Sequence, residues 1–131
     1  MQSKKEKLLL SGAVATGSST AMNIMDFDVV NFTVIGVGGT TSGTVEFLVS
    51  DQDECPNFGS AASITNRYTV ESYKDLYTGG AVIGATPASI ATAGVTKYQL
   101  NNTGSGKWVA IKLTWTAGAF TAYGSGYDTS K

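Results

Sequence analysis

The stretch Lys107-Trp108-Val109-Ala110-Ile111-Lys112-Leu113-Thr114-Trp115-Thr116 decides the fold. Val109, Ile111, Leu113 and Trp115 recur at every second position, while Trp108, Lys112, Thr114 and Thr116 fall between them. A period of two belongs to a strand with one face in a core and the other toward water. Val, Ile, Thr and Trp also suit a pleated surface better than a helix. On the N-terminal side, Asn101-Asn102-Thr103-Gly104-Ser105-Gly106 reads as a turn. On the other side, Ala117-Gly118 reads as a tight hairpin into a strand over residues 119–124, where Phe120 and Tyr123 face opposite ways.

The same period recurs upstream. In residues 29–37, Val30, Phe32 and Val34 share a face, and in residues 44–50, Val45, Phe47 and Val49 point inward with Thr44, Glu46 and Ser50 outward. The Gly38-Gly39-Thr40-Thr41-Ser42-Gly43 cluster between them reads as the turn of a hairpin. Weaker alternation marks residues 8–16, 22–25 and 95–100, and also 64–73, with Ile64, Tyr68 and Val70 on one side. Gly79-Gly80 is a breaker before a short apolar piece at 81–83, and residues 51–62 form a polar loop. Pro87 lacks the ladder donor, so 87–92 is a weak strand or a loop. Seven to nine short strands with regular turn signals predict an all-β chain, an antiparallel β-sandwich or jelly roll. A single domain is expected over residues 8–131, with residues 1–7 as an N-terminal arm leading into it. Lys4, Lys5 and Lys7 ahead of Leu8-Leu9-Leu10 imitate a signal peptide, but Glu6 lies among them and Ser11-Gly12 interrupts a short apolar run. No other stretch approaches the length of a membrane span.

Composition narrows the chemistry. A chain of 131 residues can bury one continuous core. Charged residues make up 15%, against about 25% in ordinary soluble domains. The net charge of −1 gives no electrostatic drive toward nucleic acid or an anionic membrane. With no histidine, the commonest general base and the commonest metal ligand are both missing. Cys55 is the one cysteine, so an internal disulfide and a Cys–His dyad are excluded, and a buried thiol is the expectation.

Few constellations remain. Asp51, Asp53 and Glu54 are weak calcium-ligand candidates, since the loop lacks the Gly and distal Glu of an EF-hand, and a solvated turn is the ordinary alternative. Neighbours in one loop are also poorly held at the fixed separation that a glycosidase needs. Gly36-Val37-Gly38-Gly39 lacks the Lys-Ser/Thr pair and the following helix of a phosphate-binding loop. No catalytic residue and no cofactor is expected. Trp108, with Tyr68, Tyr73, Tyr77, Tyr98, Tyr123 and Tyr127, is a candidate surface for stacking sugars or for a protein interface, ordinary core packing being the alternative. Trp108 is the best candidate for exposure because its apolar strand neighbours occupy the other face. Lys4, Lys5, Lys7 and Trp108 are the candidate partner contacts.

Several segments together resemble a known group: Ser11-Gly12-Ala13-Val14-Ala15-Thr16-Gly17, Phe32-Thr33-Val34, Gly43-Thr44-Val45-Glu46-Phe47, residues 94–100, residues 106–115 and Thr121-Ala122-Tyr123-Gly124-Ser125-Gly126. In their Gly/Thr/Ser-spaced strands they resemble small β-rich virion proteins of tailed bacteriophages, of the head decoration, head fibre or tail accessory type. The resemblance implies a non-enzymatic structural protein of a phage virion, capsid-associated as a decoration or fibre protein. It implies a homo-oligomer packed against capsid or tail proteins, located in the virion, with no catalytic residues to carry over. The alternative from another class is a carbohydrate-binding or adhesive β-sandwich module with a glycan as partner.

Overall fold

The computed structural model describes residues 4–76, 82–83, 87–102 and 106–129, and within them every regular element is a strand. In chain order these are β1 (Lys4–Ala13), β2 (Gly17–Ser18), β3 (Met22–Asn23), β4 (Val29–Ser50), β5 (Thr69–Val70), β6 (Tyr73–Asp75), β7 (Val82–Ile83), β8 (Ala88–Ile90), β9 (Gly94–Asn101) and β10 (Trp108–Tyr127). All pair antiparallel, in one connected sheet whose main path runs β1-β10-β4-β9-β6-β7. The all-β, antiparallel, single-domain expectation holds. Tyr77, the Gly79-Gly80 breaker and the turn residues Thr103-Gly104-Ser105 lie outside the described residues, as do Met1, Gln2 and Ser3.

Two of the expected hairpins do not exist. Residues 29–37 and 44–50 are the two halves of the single strand β4, and neither half pairs with the other. Likewise Ala117-Gly118 lies inside β10, which runs on through Tyr127. The long strands pair with each other from Trp108↔Ser50 to Tyr127↔Val29, with register shifts confined to Trp115–Ala119. Phe32 and Phe47 show what the glycine cluster does instead of reversing the chain. Fifteen residues of straight strand would separate them by about 50 Å, yet their ring centroids stack 4.6 Å apart. The ribbon therefore folds over at residues 36–43 and 115–119, and its halves face each other as two layers. Gly38 and Gly118 take φ values of +126° and +84° at this corner, a backbone that side chains rarely permit. The Trp115 indole N–H donates to the Gly118 carbonyl at 2.7 Å, tying the corner across its bulge.

One layer thus contains β1, the end of β10, the start of β4, β9 and β6. The other contains β2 and β3, the start of β10, the end of β4, and β5 and β8. Alternation then explains the core: Val30, Phe32, Val34, Val45, Phe47, Val109, Ile111, Leu113, Phe120 and Ala122 all turn into the space between the layers and are buried. Tyr98 and Tyr73 close the aromatic centre, each with its ring within 5.5 Å of Phe47.

Candidate functional site

The opposite face of the second layer is covered. Leu48 and Ala110, one position out of phase with Phe47 and Ile111, form a second small core with Phe58, against which Tyr68, Val70 and Trp108 pack. Phe58 and the buried Pro56 belong to the long connection over residues 51–68, so this connection folds down across the sheet. Ser50, expected to face outward, is buried for the same reason. Its hydroxyl donates to the Arg67 carbonyl and accepts from the Gln52 amide at 3.2 Å. Trp108 is consequently half-buried, not an exposed platform, and its indole N–H donates to the Asp53 carbonyl at 3.4 Å. Cys55 is exposed, against the expectation of a buried thiol.

The acidic loop does not converge on a point. Asp53 pairs with Lys107, whose ammonium holds the Asp53 carboxyl below its ordinary range. Asp51 faces Arg67 at 3.7 Å. Among the described residues no three acidic or cysteine side chains come together as metal ligands. Asp51 and Asp53 are each engaged by a cation of the chain itself, Arg67 and Lys107, instead of being turned toward a shared ion.

Lys5, Lys7 and the backbone of Lys4 lie in β1, where Lys4–Lys7 face Tyr127–Gly124 in register. The segment expected as an arm is thus ladder from Lys4 onward. Lys5 and Lys7 are exposed, and the Lys7 ammonium donates to the Ala21 carbonyl at 2.5 Å. β1 ends the main path of the sheet, so these lysines stand on an edge strand, where lysine commonly discourages unwanted pairing. Through Ala21, the Lys7 bond reaches the second small core on which Trp108 also packs.

Sequence reasoning missed a cleft of about 570 Å³ beside the covering connection. Val49 and Leu100 supply apolar lining, and Asp51, Arg67 and Glu71 supply charge. Next to it, Ser63-Ile64-Thr65-Asn66 forms a tight turn in which Ile64 is 94% exposed. Ile64 was expected in a strand with Tyr68 and Val70. The turn forms instead because Ser63 and Asn66 bond each other twice, Ser63 N to Asn66 O at 3.1 Å and Asn66 N to Ser63 Oγ at 3.0 Å. That Ser-x-x-Asn spacing was the available signal.

The class defined by these features is a single-domain antiparallel β-sandwich built on a pair of long folded strands. No protein-family model matches the chain, and no curated protein matches it in sequence. Its fold is shared with a solved protein: the SPBc2 prophage-derived protein YomS superposes with a TM-score of 0.72 at 13% identity, over 98% of this chain and 96% of that one. The likeness spans both molecules nearly end to end, so the fold is common to the whole of each.

Proposed function

We propose that the chain is a non-enzymatic structural protein of a phage virion, a capsid-associated decoration or fibre protein that works by packing against its own copies and other particle proteins. The observation that carries this reading is the end-to-end fold likeness to a prophage-derived protein. The sequence supports it independently through the strand-and-turn style of tailed-phage virion proteins. So does the surface: a rigid sandwich with few charges allows many copies to stand close without strong mutual repulsion. The glycan alternative has less behind it, because Trp108 and Tyr68 pack on the second small core and Tyr73 and Tyr98 are buried in the first.

Purified phage particles provide the test. The chain is expected in gradient-purified particles by mass spectrometry, in multiple copies, with immunogold label on the particle surface. Abundance in the infected-cell lysate together with absence from purified particles overturns the proposal.

A further inference from the structure

The outward face of the first layer has no cover: nothing among the described residues crosses it as residues 51–68 cross the other layer. Leu8, Leu76, Val95 and Tyr123, half of the eight large apolar side chains exposed among the described residues, lie on it. The ladders set its side chains in rows across β1, β10, β4, β9 and β6. One row reads Glu6–Ser125–Asn31–Gln99–Lys74. The next reads Leu8–Tyr123–Thr33–Lys97–Leu76, with Leu76 placed by its amide, which donates to the Lys97 carbonyl at 2.9 Å. Both rows point outward because the alternate positions Phe32, Tyr73, Tyr98 and Ala122 are buried in the core.

We infer that this face packs on the same face of a second copy, about a two-fold axis that runs along β4. β4 is the middle of the five strands, so such an axis lays the first residue of each row over the last residue of that row in the other copy, and the second over the fourth. Glu6 of one copy then meets Lys74 of the other, Leu8 meets Leu76, and Tyr123 meets Lys97, each of these twice. The pairings match in kind: carboxylate on ammonium, aliphatic on aliphatic, ammonium on an aromatic ring. The charges are not spent within the chain. Lys74 and Lys97 form no ion pair among the described residues, and Glu6 accepts from the Ser125 hydroxyl at 3.4 Å without meeting a cation. Near the axis, Gln99 Nε2 donates to Asn31 Oδ1 at 3.1 Å, so those two atoms stay bonded when the face is covered. Sheets stacked face to face cross at about 30°, and an axis bisecting that angle keeps the central rows opposite each other. Five strands about 4.8 Å apart and seven residues of about 3.4 Å make a patch about 24 Å square. Two such patches cover about 1,200 Å², the lower end of specific interfaces, which suits copies held close together better than a tight free dimer. The inference rests on the packing role proposed above and names the contact between copies.

Sedimentation velocity on the full chain from micromolar to millimolar concentration tests it, at low salt so that the charges are not screened. Circular dichroism confirms that each variant is folded. A monomer–dimer equilibrium is expected. Glu6→Lys and Lys74→Glu should each weaken it about tenfold, because each sets two like-charge pairs across the axis, and the two together should restore it to within about threefold of the wild type. β1 and β6 stand about 19 Å apart in one copy, four strand spacings, so the restoration cannot arise inside a single chain. Leu8→Asp should abolish the dimer, whereas Ile64→Asp, on the covered layer, should leave it unchanged. Monomers at every concentration overturn the inference, whether the face then takes a glycan, a different particle protein or nothing. So does a dimer that the single reversals leave unchanged, that the double reversal does not restore, or that Ile64→Asp abolishes. Particle proteomics answers the separate question of the virion role, so the two can fail independently.

Discussion

Gly118 carries more of the architecture than its size suggests. At φ +84°, a Cβ there would stand 2.9 Å from Thr41 Oγ1 and 3.1 Å from the Thr40 carbonyl oxygen. Gly118→Val should therefore lower stability by about 2–4 kcal/mol, combining left-handed backbone strain with a collision against main chain. Gly39→Ala is the matched control from the same corner, since a Cβ there meets nothing within 4 Å; its effect should stay within about 0.5 kcal/mol. Urea unfolding of both distinguishes them, and equal losses would remove the corner from Gly118. A second residue-scale prediction concerns pH. The Asp28 carboxylate accepts from the Thr129 hydroxyl and, at 2.9 Å, from its amide. These bonds hold its pKa below the ordinary 3.8, the hydroxyl contributing most. A lowered folded-state pKa means the tether is fully present above pH 3.8 and is lost as pH falls through the folded value. The Thr129 amide should lose exchange protection only in that acid range, and Asp28→Asn should remove the pH dependence. Thr129 amide protection that is the same in wild type and Asp28→Asn across the acid range contradicts the tether.

At the scale of elements, the alternation of residues 107–116 and 29–50 was legible because a strand's period survives any bend. What the bend does was not. A Gly/Thr cluster between two apolar runs permits both a reversal and a corner, and only the pairing partner decides. Here β10 is long enough to follow β4 around the fold, so the ladder through residues 42–50 continues beside residues 108–117. Local sequence contains no trace of that length match. The face of Trp108 was lost for a related reason: Phe58 sits in a loop without periodicity, so nothing announced that it would cap Leu48 and Ala110. The folded ribbon makes a measurable claim. If β4 really stacks on itself, Phe32 and Phe47 must couple although they belong to one strand. Phe47→Ala should cost about 3–5 kcal/mol. A double-mutant cycle of Phe32→Leu with Phe47→Leu should return a coupling of about 0.5–1.5 kcal/mol, as close aromatic pairs do. Additive losses would place the two rings in separate cores.

Taken as a whole molecule, the chain brings its ends together: Lys4 pairs with Tyr127 across the outermost ladder. This changes how the basic N-terminal residues can be tested. Deleting residues 1–7 would strip a row of ladder from the end of β10, so failure of the truncated chain would not separate lost charge from lost structure. Substitution does. The composition already showed that the chain is slightly acidic, with a net charge of −1, while β1 concentrates Lys4, Lys5 and Lys7 against one Glu6. A basic edge on an acidic molecule is the charge arrangement that steers one face toward an acidic neighbour. The candidate contact was readable from composition, whereas its placement on a sheet edge needed the partner strand. Lys5→Glu with Lys7→Glu leaves the backbone pairing of β1 in place and reverses two exposed charges, at the loss, among the described residues, of the side-chain bond from Lys7 to Ala21. The double variant should stay folded, with thermal unfolding shifted by no more than a few degrees. Under the proposed virion role with an acidic neighbour, its recovery in purified particles should fall at least about tenfold, because like charges oppose docking. The corresponding double alanine variant should fall less, and the wild-type chain should dissociate from particles more readily as salt rises. Incorporation that ignores both charge and salt would leave β1 with edge protection as the sole task of its lysines, and would shift the search for the particle contact to the opposite layer, where the Ile64 turn projects.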